Sequence, residues 1–368
     1  MSRIVPAMQV SIPGPASPVA AGVPACRFAR DHRHGGLPAR GGAEGDQGLW
    51  LRRTQWRAMW LGFLVSAVVG AAARSDDVLL FSYFMGNGED GLHLATSEDG
   101  LKWTALRGGA SFLQPVAGEN KLMRDPCLLR GPDGVFRMVW TTSWTGGTIG
   151  YSSSEDLVHW TKQKTLPVMQ AEPTTANCWA PEILWDPQQQ HYLIFWSSTV
   201  PGKFPVPDET ERPDKTKPPR NHRLYSTTTR DFETFTPTKL HYEPGINVID
   251  ETMIAVDGGW VMFVKNETEI PTAAKNIYLV RAASPDGPWS TPSEPITPPG
   301  RWVEGGTAVK IGEWWHLYYD IYRDKKYGVM RSKDLKTWED VSAGLVMPKG
   351  IRHGTVLRVP RAVVDLLR

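Results

Sequence analysis

Ser154-Glu155-Asp156-Leu157-Val158-His159-Trp160 is a polar turn closed by an aromatic ring, and the chain writes this pattern five times. The other copies are Ser97-Glu98-Asp99-Gly100-Leu101-Lys102-Trp103, Thr229-Arg230-Asp231-Phe232-Glu233-Thr234-Phe235, Ser284-Pro285-Asp286-Gly287-Pro288-Trp289 and Ser332-Lys333-Asp334-Leu335-Lys336-Thr337-Trp338. From one aromatic to the next the steps are 57, 75, 54 and 49 residues. Periods of this size belong to propellers or solenoids rather than to one continuous sheet. The long step contains residues 201–220, rich in Pro and Lys, which read as an exposed loop inserted into one repeat. An Asp side chain can bond backbone amides two residues further on, so the turn Asp residues are expected to be structural.

Outward from each turn, the repeats read as four short strands. Residues 127–130, 135–142 and 149–153 followed by the Trp160 strand make one set, with Gly131-Pro132-Asp133-Gly134 as its first turn. Residues 182–185 and 192–197, then 252–255 and 260–265, then 307–311 and 314–320 repeat its opening pair. Four-stranded sheets set radially around a channel form a propeller. The fold class is therefore all-β, a five-bladed β-propeller over residues 76–368. Residues 78–104 lack an inner strand and residues 353–359 are a strand without a partner. Pairing these two ends would close the ring and remove exposed edges.

The 41 basic and 39 acidic residues nearly balance, so no nucleic-acid footprint is expected. With 16 Trp, most indoles must serve the core, while a few remain for sugar stacking. Three cysteines make no disulfide framework. Cys127 and Cys178 each adjoin an inner-strand motif and read as buried thiols or spatial neighbours. Residues 1–58 are Ala-, Gly-, Pro- and Arg-rich without hydrophobic period, and read as disordered or as lying upstream of the true start. Residues 52–75 carry a basic stretch, an apolar run and Ala71-Ala72-Ala73, the pattern of a secretory signal. The mature chain is then expected to be secreted or periplasmic, without stable membrane association, and monomeric. The alternative is an uncleaved membrane anchor.

At the start of each inner strand, where a propeller faces its funnel, stands a polar motif. These are Arg124-Asp125-Pro126, Trp179-Ala180-Pro181-Glu182, Val248-Ile249-Asp250, Val303-Glu304-Gly305 and Arg352-His353-Gly354. Their order resembles that of glycoside hydrolase family 43, whose arabinanases, arabinofuranosidases and xylosidases carry Asp-Pro, Trp-Ala-Pro-acidic, Ile-Asp-Pro, Glu-Gly/Ala-Pro and His-Gly. The resemblance implies Asp125 as general base, Glu304 as general acid and Asp250 as modulator of its pKa. It also implies Arg124, Trp144, Trp179, Glu182 and His353 as substrate-binding residues. In arabinanase relatives a His at this place helps hold a central metal, often calcium, through water. His353 is a candidate for that role, for a hydrogen bond to sugar, or for capping the channel; no cofactor is otherwise required. The chain departs from the pattern at Glu251, at Gly306 and at Glu182, which stands where Asp is commoner.

The chemistry needs these residue types independently. Inversion requires one carboxylic acid on the leaving oxygen and one carboxylate on a water, roughly 6.5–9.5 Å apart. Asp125 and Glu304 begin non-adjacent blades, which suits such a gap, and a negative neighbour in Asp250 would raise the pKa of Glu304. A lone acid here is as readily a salt-bridged funnel residue, Asp125 with Arg124 for example. The expected activity is hydrolysis of arabinosyl, xylosyl or galactosyl bonds in plant-type polysaccharides or oligosaccharides. A fructan-cleaving retaining propeller would need an N-terminal Asn-Asp-Pro that residues 78–103 lack, and a sialidase would need three convergent arginines and usually six blades. A carbohydrate-binding propeller without turnover is the non-enzymatic alternative.

Overall fold

Short runs such as Phe136–Thr141 and Ile149–Ser154 alternate large apolar residues with small or polar ones, which suits strands packed between neighbouring sheets. The computed structural model describes residues 76–205 and 220–368. The leader, the signal-like segment, Cys26 and most of the inserted loop lie outside the described residues. Five small sheets result. The first joins β1 (Asp77–Tyr83), β2 (His93–Ser97) and β3 (Thr104–Ala105) to the last strand, β19 (Gly354–Pro360). The second holds β4 (Arg124–Arg130), β5 (Phe136–Thr141), β6 (Ile149–Ser154) and β7 (Lys164–Leu166). The third holds β8 (Trp179–Asp186), β9 (His191–Ser198), β10 (Arg223–Thr229) and β11 (Lys239–Tyr242). The fourth holds β12 (Val248–Val256), β13 (Gly259–Asn266) and β14 (Asn276–Ala282). The fifth holds β15 (Glu304–Ile311), β16 (Trp314–Ile321), β17 (Lys326–Ser332) and β18 (Glu339–Asp340).

These are the blades of a five-bladed β-propeller, with β19, β4, β8, β12 and β15 innermost. Closure is by antiparallel pairing of β1 with β19, from Asp77 opposite Pro360 to Tyr83 opposite Gly354. Glycine is required at that last pair, because a Cβ on Gly354 would lie 1.7 Å from the Ser82 carbonyl oxygen. The fourth blade departs from the expected four strands. Where its outer strand would run, Pro285, Pro288, Pro292 and Pro295 remove the amides a ladder needs. Only scattered bonds remain there, such as Ser293 N–H to the Leu279 carbonyl at 2.9 Å.

The core is divided into layers between blades. Between the second and third, Cys127, Val139 and Ile149 meet Cys178, Ile183 and Trp196. Both cysteines are buried and free, and Trp196 is fully buried. The repeated turns stand at the rim. Asp99 Oδ1 accepts from Leu101 N–H and Lys102 N–H, both at 2.8 Å, and Asp156, Asp231 and Asp334 repeat the pattern. Trp103 sits edge-on to Phe81 at 5.3 Å and donates its indole N–H to the Gly100 carbonyl. Turn Asp and turn aromatic are thus one scaffold device, distant in role from the funnel. Among the described residues no helix is long and apolar enough to cross a membrane.

Candidate active site

Four inner strands share a backbone irregularity at their funnel end. The ladder slips between Arg124 and Cys127, Trp179 and Glu182, Ile249 and Thr252, and Glu304 and Thr307. Within each slip one residue takes a left-handed conformation: Asp125 (φ 51°), Ala180 (φ 45°), Asp250 (φ 53°) and Gly305 (φ 60°). Such bulges re-aim side chains. Asp125 and Asp250 therefore occupy equivalent positions, whereas Glu304 precedes the equivalent one. The side chains gather at one cavity of about 460 Å³, lined by Asp125, Asp250, Glu304, His353, Lys265 and Arg352 among others.

The second strand of each of these blades places a polar residue directly opposite the slip. Thr141 faces Arg124, Ser197 faces Trp179, Lys265 faces Ile249 and Asp320 faces Glu304. Thr141 donates its hydroxyl to Asp125 Oδ2 at 2.8 Å and accepts from Ala180 N–H at 2.8 Å. Ser197 accepts from Asp250 N–H at 3.2 Å and donates to Glu251 Oε2 at 3.0 Å. Lys265 Nζ lies 3.5 Å from Glu304 Oε2. Asp320 holds Arg352 Nε at 2.5 Å, and Arg352 Nη2 reaches Glu304 Oε1 at 2.7 Å. Asp250 Oδ2 accepts from Gly305 N–H at 3.0 Å, tying the fourth blade to the fifth.

The electrostatics separate the acids. Burial pushes the Asp125 carboxyl up, but His353, Arg124 and Thr141 outweigh it and hold the group at about 2. The ion-pair partner of Asp125 is His353, whose Nδ1 is 3.4 Å away, rather than Arg124. Burial pushes Asp250 up, and Glu304 and Asp125 add to the rise against His353 and Lys265. Burial alone would lower His353, yet Asp125, Asp250 and Glu182 raise it to about 9. Glu304, expected to feel chiefly a negative neighbour, instead touches two cations, Arg352 and Lys265.

Glu182 does not line the cavity. It stands two residues beyond the bulge, level with Cys127, Thr252 and Thr307, and is buried with Oε1 unpartnered among the described residues. Burial pushes it to about 8, with the Asp250 charge adding to the rise. The structure does not bring the expected substrate contact of Glu182 to this cavity. Trp144 and Trp179 do line the cavity, and Trp144 is exposed there. Arg124 Cζ sits 4.2 Å from the Trp144 ring centroid and Arg220 Cζ 4.5 Å from that of Trp179. The two indoles meet edge to face at 5.6 Å.

His353 meets an acid rather than an open coordination point, its Nδ1 3.4 Å from Asp125 Oδ1. The ring is buried, and the charges of Asp125, Asp250 and Glu182 favour its protonated form. Among the described residues no three His, Cys, Asp or Glu side chains converge on a metal-sized point.

Sequence reasoning missed Lys265, Asp320, Thr141 and Asn87. Asn87, in the loop after β1, accepts from both Arg124 Nη1 and Trp144 Nε1 at 3.0 Å. A signal for the first two was present, since each closes an apolar second-strand run with a charge.

Comparison with known proteins now bears on this geometry. Residues 77–365 match the model of a family 43-related domain described as "Probable glycosyl hydrolase domain". The chain belongs to that glycoside hydrolase family. A similar curated protein is an alpha-L-arabinofuranosidase of Bifidobacterium longum, 26% identical over 263 residues, or 62% of this chain. This chain spans only 24% of that relative's length. Among solved structures, an alpha-L-arabinofuranosidase from Lactobacillus brevis matches with a TM-score of 0.45 at 15% identity, over 60% of this chain and 72% of its own. An exo-beta-1,3-galactanase from Phanerochaete chrysosporium matches with a TM-score of 0.43 at 12% identity, over 66% and 53%. As a member of family 43, the chain has the propeller and the order of inner-strand motifs expected from its sequence.

Proposed function

We propose that this chain is an inverting glycosidase that cleaves arabinosyl, xylosyl or galactosyl bonds in plant-type polysaccharides or oligosaccharides, and that it acts outside the cytoplasm. The observation that carries this reading is the meeting of Asp125, Asp250 and Glu304, from three different blades, at one cavity. The family and the named activity of the Bifidobacterium relative support the reaction class.

Asp125 is the base. Held at about 2, it is ionised wherever the fold is stable and can take a proton from water. Thr141 and His353 fix its two oxygens, so the carboxylate does not rotate. Glu304 is the acid that protonates the leaving oxygen. Its contacts with Arg352 and Lys265 have to loosen as the sugar enters, because a doubly paired carboxylate donates nothing. Asp250 is a positioning residue. It anchors the Gly305 amide beside Glu304 and supplies the negative charge that opposes the two cations.

The test is hydrolysis of chromogenic arabinofuranoside, xyloside and galactoside by the wild type, Asp125→Ala and Glu304→Ala. Each variant is expected to lose at least about a hundredfold in kcat/KM, the scale of general acid–base catalysis. A small effect from both overturns the assignment. Proton NMR of the first-formed sugar should show the inverted anomer, and retention would refute the base role of Asp125.

A further inference from the structure

The cations of the cavity are not alike. Lys265 is paired with Glu267 at 2.7 Å and Glu304 at 3.5 Å, Arg352 with Asp320 and Glu304, and His353 with Asp125. Among the described residues Arg124 has no such partner. Its side chain donates to a neutral acceptor, Asn87 Oδ1, at 3.0 Å. Glu89, an exposed acid of the same loop, bonds the Asn87 amide instead. The guanidinium lies 4.7 Å from the Phe84 centroid and 4.2 Å from that of Trp144, held between two rings that fix its plane. Arginine carries five N–H donors, so most of them remain for the cavity it lines. Arg220 is laid on Trp179 along the same wall, its backbone carbonyl anchored by Asn247 Nδ2 at 3.4 Å.

A neutral sugar would ask this wall for open indole faces. Each indole instead carries a guanidinium over its ring, and a fixed planar fork matches a carboxylate. The carboxylates of the site lie on its floor, where they are bonded to their own partners. We propose that Arg124, with Arg220 beside it, forms a carboxylate subsite, so that the glycan this chain takes carries a hexuronic acid next to the cleaved sugar. The inference rests on the glycosidase reading above and narrows its substrate class to acidic glycans.

The experiment is a chemical-shift titration of the full chain with D-glucuronic and D-galacturonic acid, against D-glucose and D-galactose, at low ionic strength. The uronic acids should bind at least about tenfold more tightly, as one charge-assisted hydrogen bond provides. Arg124→Gln, which keeps a polar amide and removes the charge, should bring the uronic acids down to the affinity of the neutral sugars. Equal binding of acidic and neutral sugars overturns the proposal, as does a preference that survives Arg124→Gln. Glucose 6-sulfate binding as tightly as glucuronic acid overturns the carboxylate assignment in favour of any anion. The readout needs no turnover: uronate preference through Arg124 in a chain without glycosidase activity sinks only the hydrolytic reading. An active enzyme indifferent to the carboxylate sinks only this one.

Discussion

His353→Asn should remove a pH-dependent part of stability, and its size can be worked from the site. The imidazole is buried against Asp125, with Asp250 and Glu182 contributing negative charge. These raise it from 6.5 to about 9 against the cost of burial. A base whose folded pKa exceeds its unfolded value holds its proton more tightly when folded. Its contribution is whole below pH 6.5, declines as pH rises, and is gone once pH passes about 9. The interval corresponds to about 3 kcal/mol at most, since each pKa unit is worth about 1.4 kcal/mol. Asp125, depressed to about 2, does not titrate in that window, because its own contribution is lost only as pH falls through that value. Glu182 does titrate there, at about 8. The His353 charge holds Glu182 down, so the Glu182 titration moves with the substitution and is read within the same gap between wild type and variant.

Urea unfolding at pH 6 and at pH 9.5 measures that gap directly. Asparagine keeps a polar donor beside Asp125 without the charge. The variant should trail the wild type by about 3 kcal/mol more at pH 6 than at pH 9.5. A gap of equal size at both pH values would mean that His353 acts by packing alone, and the assignment of an imidazolium at the centre of the propeller would fall. A gap that widens with pH would refute even the sign.

Two further substitutions probe the surroundings of the acids. Gly305→Ala should cost about 1–3 kcal/mol in thermal unfolding, since Gly305 has φ of 60° and a Cβ there would lie 2.5 Å from His353 Cγ. Lys265→Met removes a cation that holds the Asp250 carboxyl down, so Asp250 should titrate above its wild-type value when its carboxylate signal is followed by NMR across a pH series; an unmoved titration would exclude Lys265 from tuning it.

What the sequence made legible was local or ordered. A turn Asp bonds amides two and three residues ahead, so Asp99, Asp156 and Asp334 announce themselves within one heptapeptide. The inner-strand motifs keep one order along the chain, which is why Asp125, Asp250 and Glu304 could be picked out before any coordinates. The partners of those acids were hidden because strand pairing, not spacing, delivers them. Thr141 comes 16 residues after Asp125 and Asp320 comes 16 after Glu304, yet Lys265 reaches Glu304 from 39 residues before it. Glu182 is the opposite case. Its motif stands where expected, but it lies two residues beyond the bulge and does not line the cavity.

That same bulge explains how a ring of near-identical blades yields an asymmetric site. One backbone device recurs on four inner strands, and at its left-handed position the chain writes Asp125, Ala180, Asp250 and Gly305 in turn. Aspartate tolerates this conformation better than most residues, and glycine accepts it freely. The carboxylates therefore fall on alternate blades. The glycine is needed where His353 fills the space a Cβ would take, at 2.5 Å from the ring. Glu304, one residue before that glycine, is left on the ladder rather than on the bulge. It approaches the centre from a different height than Asp125, with Arg352 and Lys265 beside it. Side-chain size at one repeated backbone position thus separates two carboxylates that identical blades would have made equivalent, and a reaction that needs one acid and one base needs that inequivalence.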